Sequence, residues 1–149
     1  PYKIKITGRT KHFINAFGEE LIIDNAEQAL KVACERGNAV ISEYTAGPIF
    51  MGEGQKGAHQ WIIEFEKEPE NPEHFMSVLD NALKTLNSDY EAKRHKNLTL
   101  EMPHLVVAPR GTFFAWMKSR GKVGGQNKIP RLSNDRQYID ELLRLTERK

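Results

Sequence analysis

A glycine-rich, cationic stretch near the end of the sequence holds the residues best suited to stabilising negative charge. Residues 121–131 read Gly-Lys-Val-Gly-Gly-Gln-Asn-Lys-Ile-Pro-Arg and carry the cations Lys122, Lys128 and Arg131. A flexible, water-accessible loop of this kind can bring an ammonium group to a phosphoryl or acyl group held in a neighbouring domain. Pro130 stiffens the chain just after Lys128. The composition alone is equally typical of a solvated linker between two helices.

A second stretch, residues 8–20, combines turns with basic side chains. Gly8, Arg9 and Lys11 lie at its start, and Gly18 follows at a second bend. Glycine permits a positive φ or a close approach to the backbone, and an arginine beside a turn can bind a phosphate or a ribose hydroxyl. An ordinary β-turn with a solvated arginine explains the same residues, and composition alone favours that interpretation.

The other residues that could do chemistry have structural explanations. The histidines show no i, i+4 pairing and no thiol companions, so their spacing does not predict a metal site; they are His12, His59, His74, His95 and His104. Cys34 lies on the apolar stripe of a predicted helix and is interpreted as a small core residue. Glu64 and Glu66 alternate with apolar residues, which predicts a solvated strand face rather than an acid/base pair. The sequence has no Walker-type phosphate loop.

These candidates need elements to position them. Period-two alternation and apolar runs predict extended segments, at residues 2–7, 11–15, 21–23, 39–44, 59–66 and 98–107. A glycine-rich passage, residues 47–57, is expected between two of them. Helical spacing and end signals predict helices: one capped by Asn25 with Gln28 and ended by Gly37, one opened by Asn71 and Pro72, one from Thr112 to before Gly121, and one over residues 134–145.

Strands and helices mix without a strict βαβ repeat. This order predicts an α+β fold, with a small mixed β-sheet, an N-terminal hairpin and about four packed helices. A chain of 149 residues fits a single domain. The sequence begins at Pro1 within a strand-like segment, so we expect residues 1–149 to be one domain of a longer protein.

Composition limits the classes of partner. With 22 basic and 20 acidic residues the formal charge is only +2, which does not favour a nucleic-acid binder. No apolar run approaches the roughly 20 residues of a membrane span, and no signal peptide is visible. One cysteine fits a reducing compartment, so the expected location is cytoplasmic. The alternative is a non-catalytic module that binds RNA or another anionic ligand through cations of the second half, which are Lys93, Arg94, Lys96, Lys118, Arg120 and Lys122.

The two glycine-containing stretches together resemble the C-terminal domain of the adenylate-forming superfamily. Gly8-Arg9-Thr10-Lys11, followed by Gly18, resembles the motif that opens that domain. Lys128-Ile129-Pro130-Arg131 resembles the terminal motif with its catalytic lysine, although Asn127 stands where the family usually has glycine.

Four further segments, in the same order along the chain, resemble the auxin-responsive Gretchen Hagen family of acyl acid-amido synthetases. They are Gly57-Ala58-His59, Leu86-Asn87-Ser88-Asp89-Tyr90 with Arg94, Pro109-Arg110-Gly111-Thr112-Phe113 and Gln126-Asn127-Lys128-Ile129-Pro130-Arg131. The resemblance implies that a carboxylate attacks the α-phosphate of ATP to give an acyl-adenylate and pyrophosphate. An amine, typically of an amino acid, then displaces AMP and forms an amide. A thiol acceptor is the less favoured variant.

The resemblance also implies a role for particular residues. Lys128 corresponds to the catalytic lysine, with Lys122 as the next candidate in the same loop. Arg9 is expected to contact the AMP, and Lys11 falls at the hinge, near residues 8–11. Phe17, Gly18 and Glu19 would form the acceptor loop of the second half-reaction.

The rest of the active site would lie elsewhere. ATP, Mg²⁺ and the acyl substrate are expected mainly on an N-terminal adenylation domain in cis, with this chain as a C-terminal lid that is inactive alone. A domain that has lost catalysis and serves as a scaffold is a further interpretation.

Overall fold

A computed structural model describes residues 13–51, 56–97, 99–119 and 129–147. The predicted first strand, the turn and hinge of residues 8–11, and the site residues Arg9, Lys11 and Lys128 lie outside these ranges. The outcomes below concern the described residues.

The fold is α+β, as predicted, with two small sheets. Strands β1 (Phe13–Ile14) and β2 (Leu21–Ile22) form an antiparallel pair. In the larger sheet the order is β3-β4-β5, where β3 (Val40–Phe50) pairs antiparallel and β5 (His104–Ala108) pairs parallel with the central β4 (Gly57–Lys67). The described helices are α1 (Ile23–Gly37), α2 (Pro72–Leu86), α3 (Ser88–Arg94), α4 (Thr112–Ser119) and α5 (Gln137–Glu147), and a short 3₁₀ turn covers His95–Asn97.

Helix α2 begins where the sequence predicts. Asn71 accepts a hydrogen bond from the His74 backbone N–H at 3.1 Å, and Pro72 occupies the first turn. Helix α1 begins two residues before the predicted cap. Asn25 lies inside its first turn and accepts from the Ile22 backbone N–H at 3.2 Å, whereas Gln28 donates to Asp24.

Helices cover both faces of the larger sheet. On one face, Trp61, Ile63 and Phe65 pack with α1, α2 and the β1–β2 pair. On the other face, Ile62 packs with apolar side chains of α4 and α5. Strand β4 is therefore buried on both sides, because alternate side chains enter two different cores.

The prediction that Glu64 is solvated is wrong. Glu64 is buried, and its two carboxylate oxygens accept the backbone N–H groups of Phe113 at 3.0 Å and Gly111 at 3.1 Å. These donors stand at the start of α4, where the helix dipole favours a negative charge. Glu66, two residues further along β4, is exposed as predicted.

Several element boundaries differ from the predictions, and α5, predicted from residue 134, begins at Gln137. Strand β3 continues to Phe50 through the glycine-rich passage. Gly47 lies inside this strand, where a Cβ would stand 3.1 Å from Ile139 of α5. Strand β5 starts at His104, with only an isolated bridge at Leu100 before it. Helix α3 was not predicted; its N-cap is Asn87, which accepts from the Tyr90 backbone N–H at 2.8 Å.

Candidate functional site

The predicted acceptor loop is a tight bend between β1 and β2. The Gly18 N–H donates to the Asn15 carbonyl at 3.2 Å, and the Asn15 side chain accepts from the Glu20 N–H at 3.0 Å. Gly18 has a φ of +86°, a conformation that glycine adopts at low cost. Its backbone is exposed at the apex of the bend.

Below the apex, a buried acid–base pair fixes the bend. Glu19 is 0% exposed and His59 is 1% exposed. One Glu19 oxygen accepts the Phe17 N–H at 2.7 Å, and the other lies 2.6 Å from Nε2 of His59. An ionised carboxylate only accepts hydrogen bonds, so the contact with an ionised Glu19 uses the tautomer of His59 that has its proton on Nε2. Among the described residues, His59 Nδ1 has no hydrogen-bond partner.

The ring of Phe17 is buried beside this pair. It lies 5.5 Å from the ring of Phe50 and 6.5 Å from that of His59, measured between centroids. A Cβ at Gly57 would collide with the Ile49 carbonyl oxygen of β3 and with the Phe17 ring, so glycine is needed at the start of β4 for both close approaches. The segment Gly57-Ala58-His59 thus contacts the bend twice: Gly57 lies against Phe17, and His59 is hydrogen-bonded to Glu19.

The segment that follows Lys128 is fixed along β3. Thr45 donates its hydroxyl to the Pro130 carbonyl at 2.6 Å, and the Ala46 N–H donates to the Arg131 carbonyl at 2.9 Å. Ile129 is buried in the second core. The Arg131 guanidinium lies 4.8 Å from the centroid of the Tyr44 ring, a distance suited to a cation–π contact. The chain is therefore anchored from the residue after Lys128 onward.

Asn134 joins the two segments. Its side-chain oxygen accepts the Asn15 N–H at 2.6 Å, and its side-chain nitrogen donates to the Phe13 carbonyl at 3.2 Å. The structure thus places the bend beside the segment after Lys128, although more than 100 residues separate them in sequence. No pattern in the sequence indicated this contact.

A surface cavity of about 440 Å³ adjoins the second segment. Cys34, Tyr44 and Arg131 are among its lining residues. Burial raises the pKa of the Cys34 thiol, and the nearby charge of Glu35 raises it further. The raised pKa keeps the thiol protonated, which agrees with the interpretation of Cys34 as a packing residue. Burial and a hydrogen bond to Glu27 raise the pKa of Tyr44, so its hydroxyl remains a donor to that carboxylate at 2.5 Å.

A second buried network lies on the other side of His59. Asp80 accepts from Arg94 at 2.6 and 2.8 Å and from the Tyr90 hydroxyl at 2.6 Å. Burial alone raises the pKa of Asp80, but the hydrogen bonds from Arg94 and Tyr90 outweigh it and lower the pKa below its usual value. Arg94 is therefore a buried structural cation, and its prediction as part of a basic surface is wrong.

Among the described residues, no helix has the length and apolarity needed to cross a membrane. The same residues contain no group of three or more His, Cys, Asp or Glu side chains arranged to hold a metal ion.

The architecture is an α+β domain in which Asn134 joins the bend of residues 15–20 to the described segment after Lys128. Residues 24–137 match the family model described as the GH3 family C-terminal domain, and the chain belongs to this family. The predicted resemblance is confirmed. No curated protein matches the sequence.

The fold is shared with solved structures of acyl acid amido synthetases. It matches AtGH3.15 acyl acid amido synthetase in complex with 2,4-DB with a TM-score of 0.68 and 16% identity, and GH3.15 acyl acid amido synthetase with a TM-score of 0.69 and 18% identity. Each match covers 93% of this chain and 25% of the other. The chain thus spans a quarter of the length of these proteins.

The predicted site residues have different outcomes. Phe17 and Glu19 turn their side chains into the core, so the bend presents the Gly18 backbone. Lys128, Arg9 and Lys11 lie outside the described residues, and their roles stay predictions. Sequence reasoning gave no role to Asn134, and it named His59 only as part of the segment Gly57-Ala58-His59 that carries the family resemblance.

Proposed function

We infer that this chain is the C-terminal lid domain of an ATP-dependent ligase that joins a carboxylic acid to an amine or amino acid through an acyl-adenylate. Membership of the GH3 family supports the reaction class. The observation that carries the assignment to this site is the contact of Asn134 with Phe13 and Asn15. It brings the predicted acceptor loop and the segment after Lys128 to the same edge.

The two segments have separate tasks. Lys128 neutralises charge that develops on the α-phosphate and carboxylate during adenylation. Arg9 contacts the AMP, and Lys11 acts as the hinge. The bend of Phe17, Gly18 and Glu19 shapes the path of the amine in the second half-reaction, when water must be excluded from the acyl-adenylate.

ATP, Mg²⁺ and the acyl substrate are held mainly by an N-terminal adenylation domain of the same polypeptide. A lid of this kind completes an active site and has no complete site of its own. We therefore expect the isolated domain to be inactive.

The test uses the full-length protein and a panel of small carboxylic acids that includes 2,4-DB and benzoate. Lys128→Ala should reduce acid-dependent pyrophosphate release about 10²–10³-fold, the usual cost of removing a group that stabilises transition-state charge. Lys118→Ala, which removes an exposed lysine of α4, is the matched control and should leave the rate unchanged. Adenylation at the wild-type rate in Lys128→Ala would show that the assignment is wrong, and Lys122 would be tested next.

A further inference from the structure

We propose that His59 and Asn134 are positioning residues that hold the bend of residues 15–20 in a fixed shape beside the segment after Lys128. The proposal rests on the proposed function, because it assigns the bend to the second half-reaction. Neither residue reaches the apex of the bend. Each acts on it through another group: His59 through Glu19, and Asn134 through the backbone of Asn15.

The inner support is the Glu19–His59 pair. A buried carboxylate is stable only when its oxygens are paired. Glu19 has one oxygen on the Phe17 N–H and the other on His59, so its side chain connects the residue before Gly18 to strand β4. The backbone on both sides of Gly18 is therefore tied to the central strand of the sheet.

The inner support is itself rigid. The ring of His59 lies 5.6 Å from that of Tyr90, measured between centroids, and Tyr90 is held by Asp80. The Phe17 ring lies 6.5 Å from the same imidazole, measured between centroids. His59 thus has two aromatic neighbours besides its contact with Glu19.

The outer support is the side-chain amide of Asn134. It pairs with the backbone of Phe13 and Asn15 as a neighbouring strand would, with one accepted and one donated hydrogen bond. Asn134 is exposed, so the contact does not serve to fill a core. Its neighbour Ser133 is hydrogen-bonded to Ala46 of β3. The bend and the segment after Lys128 are consequently one connected unit.

The two supports leave the Gly18 backbone, at the apex of the bend, exposed to a partner. Gly18 is exposed, and the half-buried Lys93 packs so closely that a Cβ at Gly18 would stand 3.1 Å from its side chain. A backbone held in one conformation before it meets a substrate loses less entropy on binding. Loosening either support should therefore impair the step that uses the bend and spare the step that uses Lys128.

The experiment measures the two half-reactions separately in the full-length protein. Acid-dependent pyrophosphate exchange reports adenylation, and product formation with each of the common amino acids reports amide synthesis. In His59→Phe, which keeps an aromatic ring and removes the donor to Glu19, amide synthesis should fall about tenfold to a hundredfold, the range for a slightly misplaced group. Adenylation should stay within about twofold of wild type, because the proposed function assigns the bend only to amide synthesis. A tenfold change in the adenylation rate would need about 1.4 kcal/mol of altered transition-state interaction.

Conservative and matched variants separate positioning from general damage. His59→Gln can still donate to Glu19 and should recover most of the amide synthesis. His104→Gln makes the same change at an exposed position of β5 and should have no effect. Asn134→Ala should lower amide synthesis by several-fold with adenylation intact, and its exposed side chain lets the protein fold even where His59→Phe does not. Asn81→Ala on the surface of α2 is its control.

Amide hydrogen exchange of the same proteins gives a readout that needs no activity. The N–H groups of residues 15–20 should exchange about tenfold faster in Asn134→Ala and in folded His59→Phe, which corresponds to a loss of about 1.4 kcal/mol in the free energy of local opening. Unchanged exchange in these residues, or equal losses in both half-reactions, would overturn the proposal. If wild type adenylates no acid, the proposed function fails, and hydrogen exchange still decides whether His59 and Asn134 hold the bend.

Discussion

Two buried glutamates stabilise opposite sides of the sheet in different ways. Glu64 faces the second core, and its oxygens accept backbone N–H groups at the start of α4. Glu19 lies in the first core and depends on a side chain, His59, for one of its two contacts. Backbone donors are present whatever the local sequence, whereas a side-chain donor is lost with a single substitution. The exposed bend therefore depends on residue identity more than the start of α4 does.

The largest expected effect is at the pair. Glu19→Ala leaves the Phe17 N–H and Nε2 of His59 without their partner, at a cost of about 1–3 kcal/mol for each buried group left unpaired. Glu19→Gln should cost far less, because its amide can accept from Phe17 and donate to the other tautomer of His59. Hydrogen exchange of the protected β4 amides in the full-length protein measures both. Equal losses in the two variants would show that the pair does not fix the bend.

A smaller, local effect is expected at the other glutamate. Glu64→Ala leaves the N–H groups of Gly111 and Phe113 without their acceptor. Gly111 is exposed and its N–H can bind water, so the cost is about 1–3 kcal/mol for the one buried group, the Phe113 N–H. The loss should appear as faster exchange at the start of α4, with the bend of residues 15–20 unaffected. Faster exchange in that bend would contradict the independence of the two regions.

The network beside His59 provides an intermediate case. Tyr90→Phe removes one hydrogen bond to Asp80 and should cost about 1 kcal/mol. The folded-state pKa of Asp80 lies below 3.8, so its stabilisation is present above that value and is lost as the pH falls through the folded-state pKa. Because Tyr90 helps to lower this pKa, the variant should lose stability at a higher pH than wild type on acidification. An unchanged acid transition would show that Arg94 alone stabilises the carboxylate.

A similarly small effect on stability is expected at the apex. Gly18→Ala places a Cβ at a φ of +86°, which costs about 1–2 kcal/mol. It also crowds the flexible end of Lys93, which can move aside. Thermal unfolding of the full-length protein should show a small shift, and Gly37→Ala is a control at a glycine with ordinary φ. A loss as large as that of Glu19→Ala would indicate that the apex, rather than the pair, determines the bend.

Local signals predicted the elements well. The cap and proline at Asn71 and Pro72 lie within three residues of the turn they stabilise, so the sequence alone located the start of α2. The family was also recognisable, because its motifs are short and ordered along the chain. Helix α3 was missed because it has only seven residues and its buried side chains, Tyr90 and Arg94, do not look like an apolar stripe.

Contacts between segments that lie far apart in the sequence could not be predicted from the sequence alone. Glu64 reads as a solvent-facing residue from its alternation, and only the packing of α4 against β4 buries it. His59 and Glu19 are 40 positions apart, and Asn134 and Asn15 are 119 apart. A single polar residue at each position gives no periodic signal. The supports of the bend could therefore be found only from three-dimensional geometry.

The most direct test of the account is a crossed measurement of both half-reactions in two variants of the full-length protein. Lys128→Ala should abolish most acid-dependent pyrophosphate exchange, because it removes the charge that assists adenylation. Gly18→Ala should retain that exchange and lose amide synthesis, because it alters only the bend. If both variants lose the same half-reaction, or if Lys128→Ala adenylates normally, the two segments do not serve the two steps of one active site.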